Sequence, residues 1–378
     1  MIKVIVGGDY FVSNNSVNTE IFDKSVIDLF QSADFKIVNL ECPITDLDKE
    51  SRILKSGPHL KSSDKVTAVN LKKIGVNVVT LANNHIKDYG EKGVMDTLSF
   101  CKQNNLNTVG AGENIEDASK ILYLKKDDLK IAVINISENE WSSADANSAG
   151  AYPLDIIDNS KLIDKAKKNA NKVIVIIHGG IEHYNLPTPR MVKQYRFYVD
   201  CGASIIIGHH THCIGGNEIY KGVPIIYSLG NFVFTKKSNE KGWYTGLLLK
   251  MEITKSAIKW NLHPTNQNKI TGTVELLKNE KKEFILNNVI ELSSKISNKV
   301  VLENEWKKFL SNKKREYLSS YVFTNAIPSK YIRALLSRLG VYNLVMTKRH
   351  LAFLINLIRC ESHQEASIDI LLNEISKK

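Results

Sequence analysis

The sequence predicts an α/β fold built on a mostly parallel sheet, and three observations carry that expectation. Through residue 230, short apolar runs alternate with amphipathic stretches, the pattern of repeated strand–helix units. Polar clusters stand where several of the apolar runs stop, and a parallel sheet gathers such strand ends at one edge. Two runs, residues 172–177 and 204–207, lead straight into clusters that hold five of the ten histidines.

In order along the chain, strands are expected at residues 2–8, 35–40, 76–81, 107–110, 131–136, 172–177 and 204–207. Most are rich in Val, Ile and Leu throughout, as strands buried on both faces are. Helices are expected at 23–31, 63–74, 91–104, 160–169 and 188–201, where apolar residues recur at helical spacing. The last has Thr188 as N-cap and Pro189 at its first position, a favoured start because the hydroxyl accepts an orphan backbone N–H and proline has none to satisfy. Residues 139–152, rich in Ser, Ala and Asn, read as a loop long enough to serve as a lid. After Gly215 the pattern turns antiparallel, with strands at 219–220, 224–228, 244–253 and 257–263 and a polar hairpin loop at 236–242. From Lys278 it is helical, and residues 331–339 and 348–358 are apolar on one face and basic on the other. Two units are expected: a main domain at 1–265 and a basic, mainly helical C-terminal extension at 278–378.

Composition narrows the function classes. With 43% hydrophobic and 24% charged residues, the 378-residue chain has ample core for a soluble protein. Five cysteines, without Cys-x-x-Cys spacing, are expected as reduced thiols. The chain opens on Ile2-Lys3-Val4-Ile5-Val6 with no charged-then-apolar leader, and no window approaches the ~20 apolar residues of a spanning helix. A cytoplasmic protein, peripheral to the membrane at most, is expected. The net charge of +11 is uneven: residues 278–378 hold 18 Lys and Arg against 10 Asp and Glu. Such an excess fits an anionic polymer, an anionic lipid surface, or simply a solvated Lys-rich face. The extension reads as helices packed on the main domain, with docking to a membrane surface or partner as the alternative. No aromatic-and-basic strand pattern is present, so no specific nucleic acid is expected as a partner.

The chemistry lies at the strand ends. Gly7-Gly8-Asp9 ends the first strand, Asn39-Leu40-Glu41 the second, and Leu81-Ala82-Asn83-Asn84-His85, with Asp88 and Gly90, the third. His178 and then His209-His210-Thr211-His212 end the two later ones. Singly, each has an ordinary explanation: an Asp or Glu caps a helix, Asn-Asn makes a turn, a histidine fills a core site. Together they bring carboxylates, an amide oxygen and imidazoles to one edge. That donor mixture suits divalent Mn, Fe or Zn. Two ions ~4 Å apart need a bridging carboxylate, and they lower the pKa of a water toward ~7. Asp9 and Glu41 are the candidate carboxylates. Lys55-Ser56-Gly57-Pro58-His59-Leu60 places Lys55 and His59 on a loop that either meets an anionic substrate or is an ordinary turn.

In this order and spacing, the motifs resemble the bacterial CapA family of capsule and poly-γ-glutamate synthesis proteins, within the calcineurin-like metallophosphoesterase superfamily. The resemblance covers residues 1–265. Beyond the clusters already quoted, it includes Gly110-Ala111-Gly112, His178-Gly179-Gly180-Ile181-Glu182-His183-Tyr184 and Ser228-Leu229-Gly230-Asn231-Phe232. It implies a four-layer αββα sandwich. It also implies Asp9 as a ligand of a first metal, Glu41 in the bridging position and Asn84 on a second metal. His178 and His210 would face the second ion and His212 the first. His85 is implied as the catalytic histidine that stabilises the transition state or protonates the leaving group. Asp88, Glu182 and Asn231 fall around this set as rim or supporting residues, and His183 and His209 as surroundings. Phosphoesterases usually carry a histidine two positions after the first aspartate, where this chain has Phe11. That removes one ligand and leaves one ion or two open.

Two functions are implied by the resemblance. One is a metal-dependent hydrolase of a phosphoester or γ-glutamyl amide bond in capsule, poly-γ-glutamate or exopolysaccharide synthesis, acting on an anionic polymer or its precursor. The other is a non-catalytic accessory subunit of a polymer synthase, with the basic extension docking the synthase or a membrane surface. Members of the family often carry an N-terminal anchor or signal, so an exported polymer and a cytoplasmic precursor both stay open.

Overall fold

The computed structural model describes residues 1–13, 20–55, 57–321, 329–340 and 347–375. Runs of Val and Ile that cannot leave water on either face have paired into two sheets packed against each other. The first contains β1 (Ile2–Phe11), β2 (Phe35–Leu40), β3 (Val78–Thr80), β4 (Asn107–Val109), β13 (Asn231–Phe234), β14 (Thr245–Ile253), β15 (Ile258–Gln267) and β16 (Val274–Leu276). Its order is β16-β15-β14-β1-β2-β3-β4, and β13 takes over from β14 beside the end of β1. The second contains β6 (Leu122–Lys126), β7 (Leu129–Ser137), β9 (Lys172–His178), β10 (Ile205–His209), β11 (Asn217–Tyr220) and β12 (Val223–Ile226), in the order β11-β12-β10-β9-β7-β6. In the first sheet β1 to β4 are parallel, and β14 to β16 form an antiparallel half beyond β1. In the second, β7, β9, β10 and β12 are parallel and the edge strands β6 and β11 antiparallel.

Period-two alternation along each strand builds three apolar layers. Val4, Val6, Ile37 and Val78 meet Ile131, Val133, Ile174 and Ile207 between the sheets. The intervening Ile5, Val38 and Val79 face α1 (Lys24–Gln31), α2 (Asp64–Lys73) and α3 (Gly90–Gln103). Behind the second sheet, Ile134, Val173, Val175 and Ile206 face α5 (Ile156–Asn169) and α6 (Pro189–Cys201), and the single-turn α4 (Ile115–Ala118) caps that layer. The result is the four-layer αββα sandwich that the resemblance implied. Thr188 caps α6 as expected, its hydroxyl accepting from the Met191 amide at 3.2 Å.

Two local readings differ. Residues 139–152 are packed down rather than free to act as a lid. Ser142, Ala144 and Ala149 are buried, and β8 (Gly150–Ala151) pairs with β5 (Ala111–Gly112). Small side chains let that loop lie flat on the domain. Strand β6 is an addition to the expected set, because an edge strand with one buried residue in five presents no apolar run.

The C-terminal segment is helical as expected: α7 (Asn279–Ser297), α8 (Lys299–Tyr321), α9 (Lys330–Arg338), α10 (Lys348–Arg359) and α11 (Glu361–Ile375). Helix α7 buries Val289, Leu292 and Ile296 against the sandwich. Trp306, Leu310, Leu357, Ala366 and Ile370 from α8, α10 and α11 form a fourth cluster that closes on Ile181 and Tyr184. Among the described residues, no helix is long and apolar enough to cross a membrane. All five cysteines are unpaired.

Candidate metal centre

The parallel strands of both sheets end on the same side, and their last residues converge there. Asp9 in β1 stands opposite Asn39 of β2 and Asn231 of β13, while His209 of β10 stands opposite His178 of β9. The register of β1 against β2 shifts between Val6 and Asp9, a bulge of the kind that re-aims a side chain beside a site. Gly8 makes that path possible, since a Cβ there would sit 1.9 Å from the Gly230 carbonyl oxygen. Past β10 the chain is bent sharply: His210 and His212 have φ of +92° and +55°, in the region non-glycine residues avoid. Such conformations persist where the surroundings over-determine them, and here they turn both imidazoles inward.

Glu41 is shared by two triads, Asp9–Glu41–His212 and Glu41–His178–His210, and the ligand atoms of each lie within 4.8 Å of one another. On the second triad, Asn84 Oδ1, His210 Nδ1 and Glu41 Oε1 surround His178 Nε2 at 3.1, 3.0 and 3.7 Å. On the first, His212 lies 3.5 Å from Asp9 through Nδ1 and 3.6 Å from Glu41 through Nε2. Both oxygens of Glu41 are buried and accept no hydrogen bond. A carboxylate so placed is strongly disfavoured unless a cation compensates it. Burial and the adjacent Asp9 charge push its carboxyl well above the usual range, which a bound cation would reverse. With its carboxylates, amide oxygen and imidazoles, the donor set fits one or two divalent ions.

Electrostatics act on the other ligands in both directions. Against burial, the neighbouring Asp9 raises His212, so an ion there would displace a proton, while Asp9, His178 and His210 are held in the forms that ligate. Burial alone would raise Asp9, but the imidazoles of His209 and His212, 3.4 and 3.5 Å away, hold it well below the carboxylate range. Burial pushes His178 and His210 down, which keeps both imidazoles neutral, the form that ligates. Asn231 Oδ1 sits 2.9 Å from His212 Nδ1, and its amide donates to the Trp243 carbonyl at 3.0 Å, so it orients that ring. The Asn39 amide similarly spans Asp9 Oδ1 at 2.7 Å and His178 Nδ1 at 3.2 Å.

Beside the triads, Asp88 Oδ2 is 2.7 Å from His85 Nδ1, and Lys55 pairs with the other oxygen of Asp88. Burial and the Lys55 charge push His85 down to about 4. The ring is therefore neutral near pH 7, with Nδ1 held and Nε2 left for the cleft. Lys55 is paired with Asp88, its side chain only 3% exposed, and forms part of the cleft wall beside His85. His59 is turned back on its own loop, Nε2 2.8 Å from the Ile53 carbonyl, and is absent from the walls of the cleft. Ser56 of that loop lies outside the described residues. Glu182 is half exposed at the rim, 3.7 Å from His183. Phe11 is buried against Phe234 with ring centroids 5.1 Å apart, so apolar core occupies that position. His209 is a buried neighbour of Asp9, at 3.4 Å.

Sequence reasoning passed over Glu138 and Glu140. Glu140 Oε1 is 3.7 Å from His210 Nε2, and burial raises its carboxyl to about 7. The signal was available, since Glu138-Asn139-Glu140 directly follows β7 just as the other clusters stand at the ends of their strands. A cleft of about 670 Å³ opens over Asn84, His85 and His210.

A two-sheet α/β sandwich whose parallel strand ends converge on shared carboxylates and imidazoles defines the class: a protein with a candidate metal centre at its carboxyl edge. The chain belongs to the bacterial capsule synthesis protein PGA_cap family, whose model matches residues 4–236. It is 34% identical over 236 residues to the capsule biosynthesis protein CapA of Bacillus anthracis, covering 61% of this chain and 56% of that one. It is 37% identical over 218 residues to the PGA biosynthesis protein CapA of Bacillus subtilis, covering 57% and 56%. It is 27% identical over 215 residues to a probable polyglutamine synthesis accessory protein of Mycobacterium tuberculosis, covering 53% and 56%. The chain spans about half the length of the curated relatives it matches.

Proposed function

We propose that the chain is a metal-dependent hydrolase acting in the synthesis or processing of a capsule polymer, of the poly-γ-glutamate or exopolysaccharide kind. The observation that carries this reading is Glu41, a buried carboxylate without hydrogen-bond partners, common to two triads of ligand-type residues. Asp9, Glu41 and His212 would hold one divalent ion of the Mn, Fe or Zn type, and Glu41, Asn84, His178 and His210 a second. Ions so held supply Lewis-acid activation of water and polarise the phosphoester or γ-glutamyl bond under attack. Asn39 and Asn231 orient ligands from behind. His85, fixed through Nδ1 by Asp88, exchanges a proton or hydrogen bond with the leaving group through Nε2. The family and the names of the relatives support the pathway, and the donor set supports the chemistry.

Metal analysis of the purified protein, together with phosphodiester and γ-glutamyl hydrolysis assays, tests the reading. Bound divalent metal is expected, with activity lost in Asp9→Asn, His178→Ala and His210→Ala. A metal-free protein whose activity survives those changes would sink it. One observation favours a second reading, a non-catalytic accessory subunit of a polymer synthase: the Phe11 position offers core packing where phosphoesterases have a ligand. Stoichiometric metal without turnover, together with co-purification with a ligase, would favour that alternative.

A further inference from the structure

We propose that the C-terminal helices form the second wall of the metal-centre cleft and provide its anion-recognition face, with Arg349 and His350 as specificity-determining residues. The inference rests on the hydrolase reading only for what is done to the ligand, since anion binding is read without turnover. The cleft has two sides. One comes from the sandwich and includes Asn84, His85, Glu140, Glu182 and His210. The other comes from α8, α10, α11 and the residues just before α10, and includes Lys313, Arg349, His350 and His363. These last positions all lie beyond residue 236, where the family match ends.

The helical wall is tied to the strand ends that carry the centre. Tyr184, six residues after His178, packs on Phe309 and Trp306 with ring centroids 4.4 and 6.0 Å apart. Glu138, at the end of β7, accepts from the Gly180 amide at 3.1 Å and from the Ser362 hydroxyl of α11 at 2.7 Å, and pairs with Arg190. The Asn139 amide donates to Glu361 Oε2 at 2.9 Å. One buried carboxylate thus joins the His178 loop to α11. The Ser362–Glu138 and Asn139–Glu361 hydrogen bonds and the Tyr184 packing hold the wall against the sandwich.

The charge pattern supplies the ligand class. On the sandwich side the Lys55 charge is taken up by Asp88, and Glu140 and Glu182 are acidic, so the cations left to meet an anion come from the helical side. There Arg349 is exposed, with a planar guanidinium able to grip a carboxylate or phosphate through two hydrogen bonds. Recognition of carboxylate and of phosphate is shared chemistry, and the experiment separates the two sources.

Isothermal titration calorimetry on the metal-loaded chain of residues 1–378, with pyrophosphate and tri-γ-L-glutamate as probes, tests this. At least one probe is expected to bind the wild type and to weaken tenfold or more in Arg349→Ala, with a smaller loss in His350→Ala. Arg349→Lys should restore part of the affinity, and metal content should stay unchanged in all three variants. The tighter probe identifies the source, phosphate or polycarboxylate. No binding of either probe to the wild type, or equal affinity for wild type and Arg349→Ala, overturns the proposal. Failure of the hydrolase reading looks different: no metal or no turnover, with anion binding still dependent on Arg349.

Discussion

Lys55 and Asp88 show how one residue's role depends on its burial. The two side chains are 3% and 0% exposed, and they stand 33 positions apart in sequence. Removing one partner of such a pair leaves a buried charge, so Lys55→Met should destabilise the fold by about 3–5 kcal/mol in urea titration. The Leu60 amide, which donates to Asp88 at 2.7 Å, moderates that cost. His85 offers the opposite test, because it touches the cleft without joining either triad. His85→Ala should lower kcat by roughly 10²–10⁴-fold while leaving bound metal unchanged, as checked by assay and metal analysis of the same sample. A parallel loss of metal would move His85 from proton transfer to ligation.

At the scale of elements, the strand ends and the helical wall contribute in different ways. Strands β1, β2, β9 and β10 place ligands by the rigidity of paired backbone, which a loop alone would not give. Helices α8 and α11 are held by side chains instead. Trp306 is buried in their shared cluster, and its indole N–H donates to Asp369 Oδ2 at 2.7 Å. Trp306→Ala should therefore cost about 3–5 kcal/mol. Limited proteolysis should then cut within residues 299–375 well before the sandwich is attacked. Simultaneous digestion of both parts would show that wall and sandwich unfold as one cooperative unit.

For the whole molecule, the candidate centre lies between residues of the two sheets, so an ion there would link them. Asp9 and Glu41 come from the first sheet, and His178, His210 and His212 come at or after the ends of strands in the second. Binding to the folded state alone stabilises it by about 2.7 kcal/mol when free ion is at 100 times Kd. Added Mn²⁺ should raise the Tm of chelator-treated wild type by a few degrees and leave that of Glu41→Gln unmoved. An equal rise in both proteins would place the ion elsewhere.

Six proposed ligands were legible because β-strands announce themselves by apolar runs, and the residues just past a parallel strand must surface at one edge. Asp9, Glu41, Asn84, His178, His210 and His212 stand at or shortly past strand ends, which gathers them at one edge, and the resemblance to the family implied their roles as ligands. The sandwich layers come from the same runs, since a strand apolar on both faces requires cover on both. Only the tertiary structure decided the rest. Lys55 turned inward to Asp88, His59 turned back on its loop, and residues 139–152 packed down, because burial depends on neighbours distant in sequence. The basic C-terminal helices read from sequence as a generic amphipathic extension. That they line the cleft over the candidate metal centre is a matter of docking, set by Glu138, Tyr184 and their partners roughly 120 to 220 residues further along the chain, and no local periodicity carries such a contact.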